Sequence, residues 1–471
     1  MADVLLGADV GTSGLKLVAL AGDGSVVAEA ESAYEPERPY PGWAQVPVDT
    51  WRAALDDALE RVAPALAGAT VRGLGLSGQM HGAVLVDDAG VALGPALLWA
   101  DSRAREELRR WHGLTAGDRA ALANPLVAGM TGPLAAWLAV HEPALVGRAA
   151  ALLLPKDALR ASVVPGAPPR ITDRSDASAT LLWDVVAEDW SAAAVAAAEL
   201  PPELLPEVRP STAVVGTAAL AVGDVPVVVG GADTPLALLA SGVGSGVLLN
   251  LGTGAQLLRP GARAVPADDP PVHTYADVEG GWYAMAALQN GGSAWDWARG
   301  VLGMSWGELF AAAEAAPPGA GGAEFRPFLT GERGGVAAPD ERGSWRGLGP
   351  GTTRADLARA AVEGVVFAVG AACELLDPPD GAVVLTGGGG RPPVVRQLLA
   401  DVLGRPVRWL PLRSASAIGA AMLAARGTGV DLAPRPEPGP ATEPRDVPEL
   451  RAAAERWGAP PSPEPDPGGR R

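Results

Sequence analysis

The chain is short of the residues that build disulfides, metal clusters and lysine-rich surfaces. Cys373 is the one cysteine in 471 residues, which excludes a disulfide framework and a cysteine-based metal site. The four histidines, His81, His112, His141 and His273, are scattered and show no zinc-ligand spacing. Lysine occurs only at Lys16 and Lys156, so nearly all positive charge is arginine. Acidic residues outnumber basic ones 54 to 37, and a formal charge of −17 opposes binding along a nucleic-acid backbone. No G-x-x-x-x-G-K-[ST] stretch is present, which excludes a P-loop. The most apolar stretch, Val225 to Leu251, is broken by Asp233, two prolines and several glycines, so no bilayer span is expected. The start, MADVLLGADV, has no positive n-region, and Asp9 cuts its apolar run, so it does not read as a secretory signal. These absences point to a cytoplasmic protein with neither a membrane nor a nucleic acid as partner. Its 48% hydrophobic and 19% charged residues suffice for two domains with separate cores.

What is present starts at residue 4. Val4 to Ala8 reads as a buried strand and Leu15 to Leu20 as its antiparallel return, joined by Asp9-Val10-Gly11-Thr12-Ser13-Gly14. Glycines in such a turn bare backbone N–H groups to an anion, and the hydroxyls add donors. Asp9 would face a cation rather than the phosphate it repels. Alone this is an ordinary polar hairpin, but Val247 to Leu257, VLLNLGTGAQL, repeats the pattern without the acid. Two such hairpins half a chain apart suggest a duplicated fold closing on one nucleotide. Gly73, Gly75 and Gly78 spell G-x-G-x-x-G, yet the strand-like Ala83 to Val86 follows where a dinucleotide site needs a helix. These glycines are expected to admit another backbone instead. Asp233 follows the strand Val225 to Val229 and a Gly-Gly pair, at the mouth of a helix. There it serves either as a helix N-cap or as the base for a hydroxyl attacking a γ-phosphoryl group.

Between these landmarks Asp49 is expected to N-cap a helix through Ala67, and residues 165 to 180 to form a polar loop. Asp184 to Ala198 reads as a helix, and Lys156 with Asp157 as a surface ion pair. Long helical spacing covers Thr353 to Leu376, and the strand Val383 to Thr386 ends in Gly387 to Gly390. The expected domains are 1–240 and 241–430. Residues 431–471 read as a Pro-rich, largely disordered tail around one short helix, Val447 to Trp457.

Several segments together resemble the FGGY family of carbohydrate kinases, over roughly residues 3 to 427. Asp9 to Lys16, DVGTSGLK, resembles the family's first phosphate hairpin. Gly78-Gln79-Met80-His81-Gly82 is similar to the sugar-pocket segment of the branch that acts on D-xylulose, and is the most discriminating of the set. Leu98 to Arg103 resembles W-N-D-x-R, Leu154 to Arg160 resembles L-P-K-D-Y-L-R, and Thr172 to Ser178 resembles T-D-x-S-D-A-S. Gly230-Gly231-Ala232-Asp233 resembles the G-G-G-D that carries the catalytic base, and Gly387 to Gly390 the glycine turn beneath the adenosine. The chain departs from the family at Ala100, Ala158, Thr234 and Gly254, and Thr234 bears on the choice of sugar.

The resemblance implies two similar α/β domains of the sugar kinase/Hsp70/actin (ribonuclease H-like) type with an interdomain cleft. It implies ATP-dependent phosphorylation of a ketopentose, D-xylulose at O5, with another ketose or polyol, or a non-catalytic sugar-binding role, as alternatives. It places Asp233 and Asp9 in catalysis and around Mg2+. Met80, His81, Trp99, Asp101 and Thr234 fall at the sugar. Gly11, Thr12, Ser13, Gly252, Thr253, Gly254, Gly387, Gly388 and Gly389 fall at the nucleotide. Homodimers are common in this family.

Overall fold

The computed structural model describes residues 3–166, 168–332, 335–338, 340–432 and 437–458. The chain packs into two compact units. The first comprises Met1–Ser245, Leu258–Met285 and Leu412–Glu437; the second comprises Gly246–Leu257, Ala286–Pro411 and Pro438–Arg471. Among the described residues no helix is long and apolar enough to cross a membrane.

In the first unit, β1 (Asp3–Val10) pairs antiparallel with β2 (Gly14–Ala21), which pairs in turn with β3 (Val26–Ala33). Two residues, Gln45–Val46, form β4, and β5 (Thr70–Gly78) lies parallel to β1 on its other side. Strands Gly223–Val228 and Val214–Leu220 extend the sheet beyond β5. Side chains alternate along β1 and so divide the core. Leu6, Ala8 and Val10 pack with Trp51, Leu55 and Leu59 of helix α1 (Val48–Val62) on one face. Leu5 joins Leu236 and the helix Ala415–Thr428 on the other.

That second face is tight enough to require glycine. A Cβ on Gly7 would lie 1.9 Å from the carbonyl oxygen of Ala417, and one on Gly75 equally close to that of Ala420. A Cβ on Gly78 would meet the main chain of Lys156 at 2.9 Å. The glycines of the G-x-G-x-x-G stretch therefore admit a helix and a neighbouring backbone.

Several local expectations are corrected. Helix α1 begins at Val48 with Pro47 at its N-cap, and Asp49 lies inside the first turn, where its charge suits the positive end of the helix. Residues 184 to 198 do not form one helix. Trp183–Asp184 and Asp189–Trp190 make a small hairpin, followed by the helix Ala192–Ala197. Within the segment 165 to 180, residues 171 to 180 are largely buried and not a loop: Ile171–Asp173 is a strand, Arg174–Ala177 a helical turn, and Asp173, Ser175, Asp176 and Ser178 are inaccessible. Lys156 and Asp157 are not on the surface but wholly buried.

The second unit holds the strand Val247–Leu251 parallel to Val383–Thr386, which is parallel to Val407–Trp409. The helix Arg354–Leu376 is buried along most of its length and starts from a capping box of Thr353 and Asp356. The expected tail is ordered over residues 437–458. Ala441–Thr442 pairs with Val407–Arg408, and the helix Pro448–Gly458 buries Leu450, Ala453 and Trp457. Trp457 donates its indole N–H to the Phe325 carbonyl at 2.8 Å. Three apolar residues spaced as one helical stripe anchor a segment whose average composition reads as disordered. Residues 459–471 lie outside the described residues.

Candidate active site

The first turn is closed by Gly11 N–H donating to Gly14 O at 3.0 Å. Gly11 O in turn accepts from Tyr34 OH at 2.6 Å and from Gln79 Nε2 at 3.1 Å. Thr12 Oγ1 accepts from the indole N–H of Trp99 at 3.0 Å and approaches Gln79 Oε1 at 3.5 Å. The turn is thus clamped from three sides, while Ser13 stays exposed at its tip.

Asp9, one residue from the end of β1, accepts from Ser77 Oγ at 2.7 Å and stands opposite Lys16 in the hairpin register. Burial pushes its carboxyl up, against Ser77 and Lys16, which pull it down. Asp233 is the first residue of the helix Asp233–Ser241. Ahead of it, Gly231 and Ala232 pair with Ser77 and Gly78 at the end of β5. The C-terminal ends of adjacent parallel strands therefore bring Asp9 and Asp233 together, as open α/β sheets do for ligand sites. Burial first and the Asp9 charge second push Asp233 up to about 7. Both carboxylates remain partly exposed.

Two like-charged carboxylates forced together this way fit a hard divalent cation by donor chemistry. Among the described residues no cluster of three or more His, Cys, Asp or Glu could hold a metal. An ion bound through two carboxylates would then complete its shell with water and phosphate oxygens, as Mg2+ commonly does.

Met80 and His81 follow β5 beside this pair. Tyr283 OH reaches Met80 Sδ at 3.7 Å, and its own proton is held well above the usual phenol range, by burial first and then by Tyr275 and Asp233. His81 has φ +67°, a left-handed conformation uncommon for residues other than glycine, and such positions gather at functional sites. Its Nδ1 lies 2.6 Å from Ala179 O, which makes that nitrogen the donor and leaves Nε2 as the acceptor. The ring of Tyr275 lies 6.0 Å away. Tyr275 and Tyr283 face one another on the strands His273–Ala276 and Trp282–Leu288, and both belong to the first unit. They had been missed because they lie beyond residue 240; their being two of only 4 tyrosines was the one available signal.

Two residues expected at the sugar have other employment. Asp101 is buried, and its oxygens accept from Ala44 N–H, Arg103 N–H and the Arg103 guanidinium at 2.7 to 3.0 Å. It fixes the loop that carries Trp99. Thr234 is also buried, and its hydroxyl turns onto Asp233 Oδ1 at 3.2 Å, beside its own N–H at 2.7 Å. Trp99 is 37% exposed and bridges to the first turn through Thr12.

In the second unit Gly252 N–H donates to Gly254 O at 2.9 Å, a closure one residue tighter than that of the first turn. Thr253 O accepts from Gly291 and Ser293 N–H groups, and from Ser293 Oγ at 2.9 Å. A Cβ on Gly254 would lie 2.4 Å from Leu288 O, so the position excludes the serine usual in the resembled family. Gly387, at φ +88°, leaves a Cβ only 2.5 Å from Leu251 O. The Gly387–Gly389 turn therefore lies against the end of the strand Val247–Leu251, next to Gly252, and this unit brings its two glycine turns together.

A carboxylate pair beside a glycine-threonine turn is the equipment of a phosphoryl-transfer enzyme of two α/β units. Comparison with known proteins defines it further. Residues 4–240 match the N-terminal domain, and residues 247–428 the C-terminal domain, of the FGGY family of carbohydrate kinases. The xylulose kinase of Klebsiella pneumoniae is 32% identical over 435 residues, covering 89% of this chain and 88% of that protein. The xylulose kinase of Escherichia coli (strain K12) is 31% identical over 434 residues, with the same coverage of 89% and 88%. The solved structure of a xyloylose kinase from Brucella ovis superimposes with a TM-score of 0.87 at 28% identity, covering 97% of each chain. The chain belongs to the FGGY family and is an ATP-dependent carbohydrate kinase.

Proposed function

We propose that this kinase phosphorylates the terminal hydroxyl of a ketopentose, D-xylulose at O5, with Asp233 as general base and Asp9 and Asp233 facing Mg2+. The observation that carries the base is its environment: a partly exposed carboxyl pushed up to about 7 beside Asp9, at the head of a helix. A base poised near neutral pH combines a deprotonated resting form with enough affinity to take a hydroxyl proton. As the sugar oxygen bonds to the γ-phosphorus, its proton passes to Asp233 and the bond to the β-phosphate oxygen breaks, releasing ADP. Mg2+, when bound with the nucleotide, neutralises phosphate charge.

The amides of Gly11, Thr12 and Ser13 are assigned to the transferred phosphoryl group, with Lys16 as the nearby cation. Those of Gly252, Thr253 and Gly254, with Gly387, Gly388 and Gly389, are assigned to the rest of the nucleotide. Met80, His81 and Trp99 are assigned to the sugar, joined by Tyr283. The choice of D-xylulose is supported by the Met80-His81 pair and by the activities that name the relatives. Asp101 is assigned to the loop that carries Trp99, and Thr234 to the base through its bonds to Asp233 Oδ1.

The test is ADP release with Mg–ATP against D-xylulose, L-xylulose, D-ribulose, L-ribulose, glycerol, gluconate and D-xylose, with Asp233→Asn alongside. A preference for D-xylulose that Asp233→Asn abolishes while sugar binding persists is the expected result. Near-normal turnover in that variant overturns the base, and preference for another acceptor overturns the sugar.

A further inference from the structure

Lys156 is wholly buried and lies within 3.0 Å of three carboxylates: Asp157 Oδ1 at 2.7 Å, Asp173 Oδ1 at 3.0 Å and Asp176 Oδ2 at 3.0 Å. Arg160 Nη1 and Thr172 Oγ1 complete the shell of Asp157 at 2.5 and 2.7 Å. Burying this many charges is costly, and apolar residues would hold a helix at lower cost. The cluster does reach something specific. Asp173 Oδ2 accepts from Ser211 Oγ at 2.9 Å and from Ser175 Oγ at 2.6 Å. With its hydrogen given to Asp173, Ser175 Oγ presents lone pairs, and the N–H of Ala232 donates to it at 2.9 Å. Ala232 is the residue before Asp233. All of these groups lie in one unit.

We propose that Ser175 is a positioning residue for Asp233, holding the peptide that leads into the base, with the Lys156–Asp173 ion cluster as its buried anchor. The proposal rests on the assignment of Asp233 made above. The packing around the strut is close. A Cβ on Gly231 would lie 2.6 Å from Val278 Cγ1, so the position ahead of Ala232 has no room for a side chain. On the other side, Gly231 and Ala232 pair with Ser77 and Gly78, and Ser77 holds Asp9. One buried hydroxyl and one strand end thus set the separation of the two site carboxylates. A shift of well under 1 Å in a base costs turnover by one to two orders of magnitude while leaving binding contacts in place.

The experiment measures kcat and KM for sugar and for ATP in Ser175→Ala, with Asp233→Asn in parallel and thermal unfolding as a check on folding. The expected result is a fall in kcat of about 30-fold, with both KM values within about twofold of wild type. Ser175→Cys, close in shape but a poor acceptor, serves if the alanine variant does not fold, and the same split is expected. A folded variant with wild-type kcat, or one whose KM values rise in step with the loss, overturns the positioning role. Turnover retained by Asp233→Asn would instead overturn the base assignment, whatever Ser175 does.

Discussion

Replacing Asp233 by asparagine is expected to stabilise the ligand-free protein while it removes turnover. Burial and the neighbouring Asp9 raise this carboxyl from 3.8 to about 7. A group whose native pKa lies above its unfolded value favours folding at low pH, and that contribution is lost as pH rises through the native value. From these two values the cost of Asp233 to folding, relative to strongly acidic solution, is about 2 kcal/mol at pH 5.5 and about 4 kcal/mol at pH 8. Asparagine carries no such cost and keeps an oxygen for the N–H of Thr234. Titrating groups away from Asp9 and Asp233 are common to the two proteins and cancel in the comparison, and the repulsion between the two carboxylates is lost with Asp233. The advantage of Asp233→Asn should therefore grow by about 2 kcal/mol between pH 5.5 and pH 8, an upper figure because the carboxyl is partly exposed. For a unit of this size that is about 3–6 °C in apparent Tm. Thermal unfolding in chelator without nucleotide, at both pH values, measures it. An advantage that does not change with pH would refute the placement of a strained carboxylate at residue 233.

Trp457→Ala should cost about 3–5 kcal/mol, since it empties a buried indole site and leaves Phe325 O without its donor; unchanged thermal unfolding would refute the docking of the C-terminal helix. Gly75→Ala should destabilise by at least about 3 kcal/mol, because its Cβ would lie 1.9 Å from Ala420 O; soluble yield and apparent Tm near wild type would remove the tight helix-on-sheet contact. Lys156→Met leaves Asp173 and Asp176 buried without their cation, a loss of about 3–5 kcal/mol visible in urea unfolding. Excess chelator should stop ADP formation and added Mg2+ restore it; turnover in metal-free solution would take the ion out of the site.

Much of the site was legible because its signals are local. The strand-turn-strand of residues 4 to 20, its echo at 247 to 257 and the glycines after Thr386 declare themselves through chain-adjacent residues, since a turn needs its glycines where it bends. Asp233 was legible as a carboxylate between a strand and a helix. Rejecting the G-x-G-x-x-G stretch as a dinucleotide site was possible because the element that follows is itself readable.

What needed the fold were relations between residues distant in sequence. Lys156 reads as surface charge until Asp173 and Asp176 are folded onto it; burial of an ion depends on partners that no local window contains. That Asp101 holds Ala44 and Arg103, and that the Thr234 hydroxyl turns onto Asp233, could not be read from the segments that contain them. Tyr275 and Tyr283 join Met80 only because the stretch 258–285 returns to the first unit. Composition placed the residues flanking the expected helix Val447 to Trp457 among disordered segments because it averages over prolines and glutamates, whereas docking is decided by three apolar residues of that helix and the surface that receives them. The sequence by itself determined the class of chemistry, since turn glycines and strand-end carboxylates act through their immediate neighbours. Only the tertiary structure decided which side chains are free to meet a ligand, because each polar group goes first to whatever partner the fold puts within 3 Å.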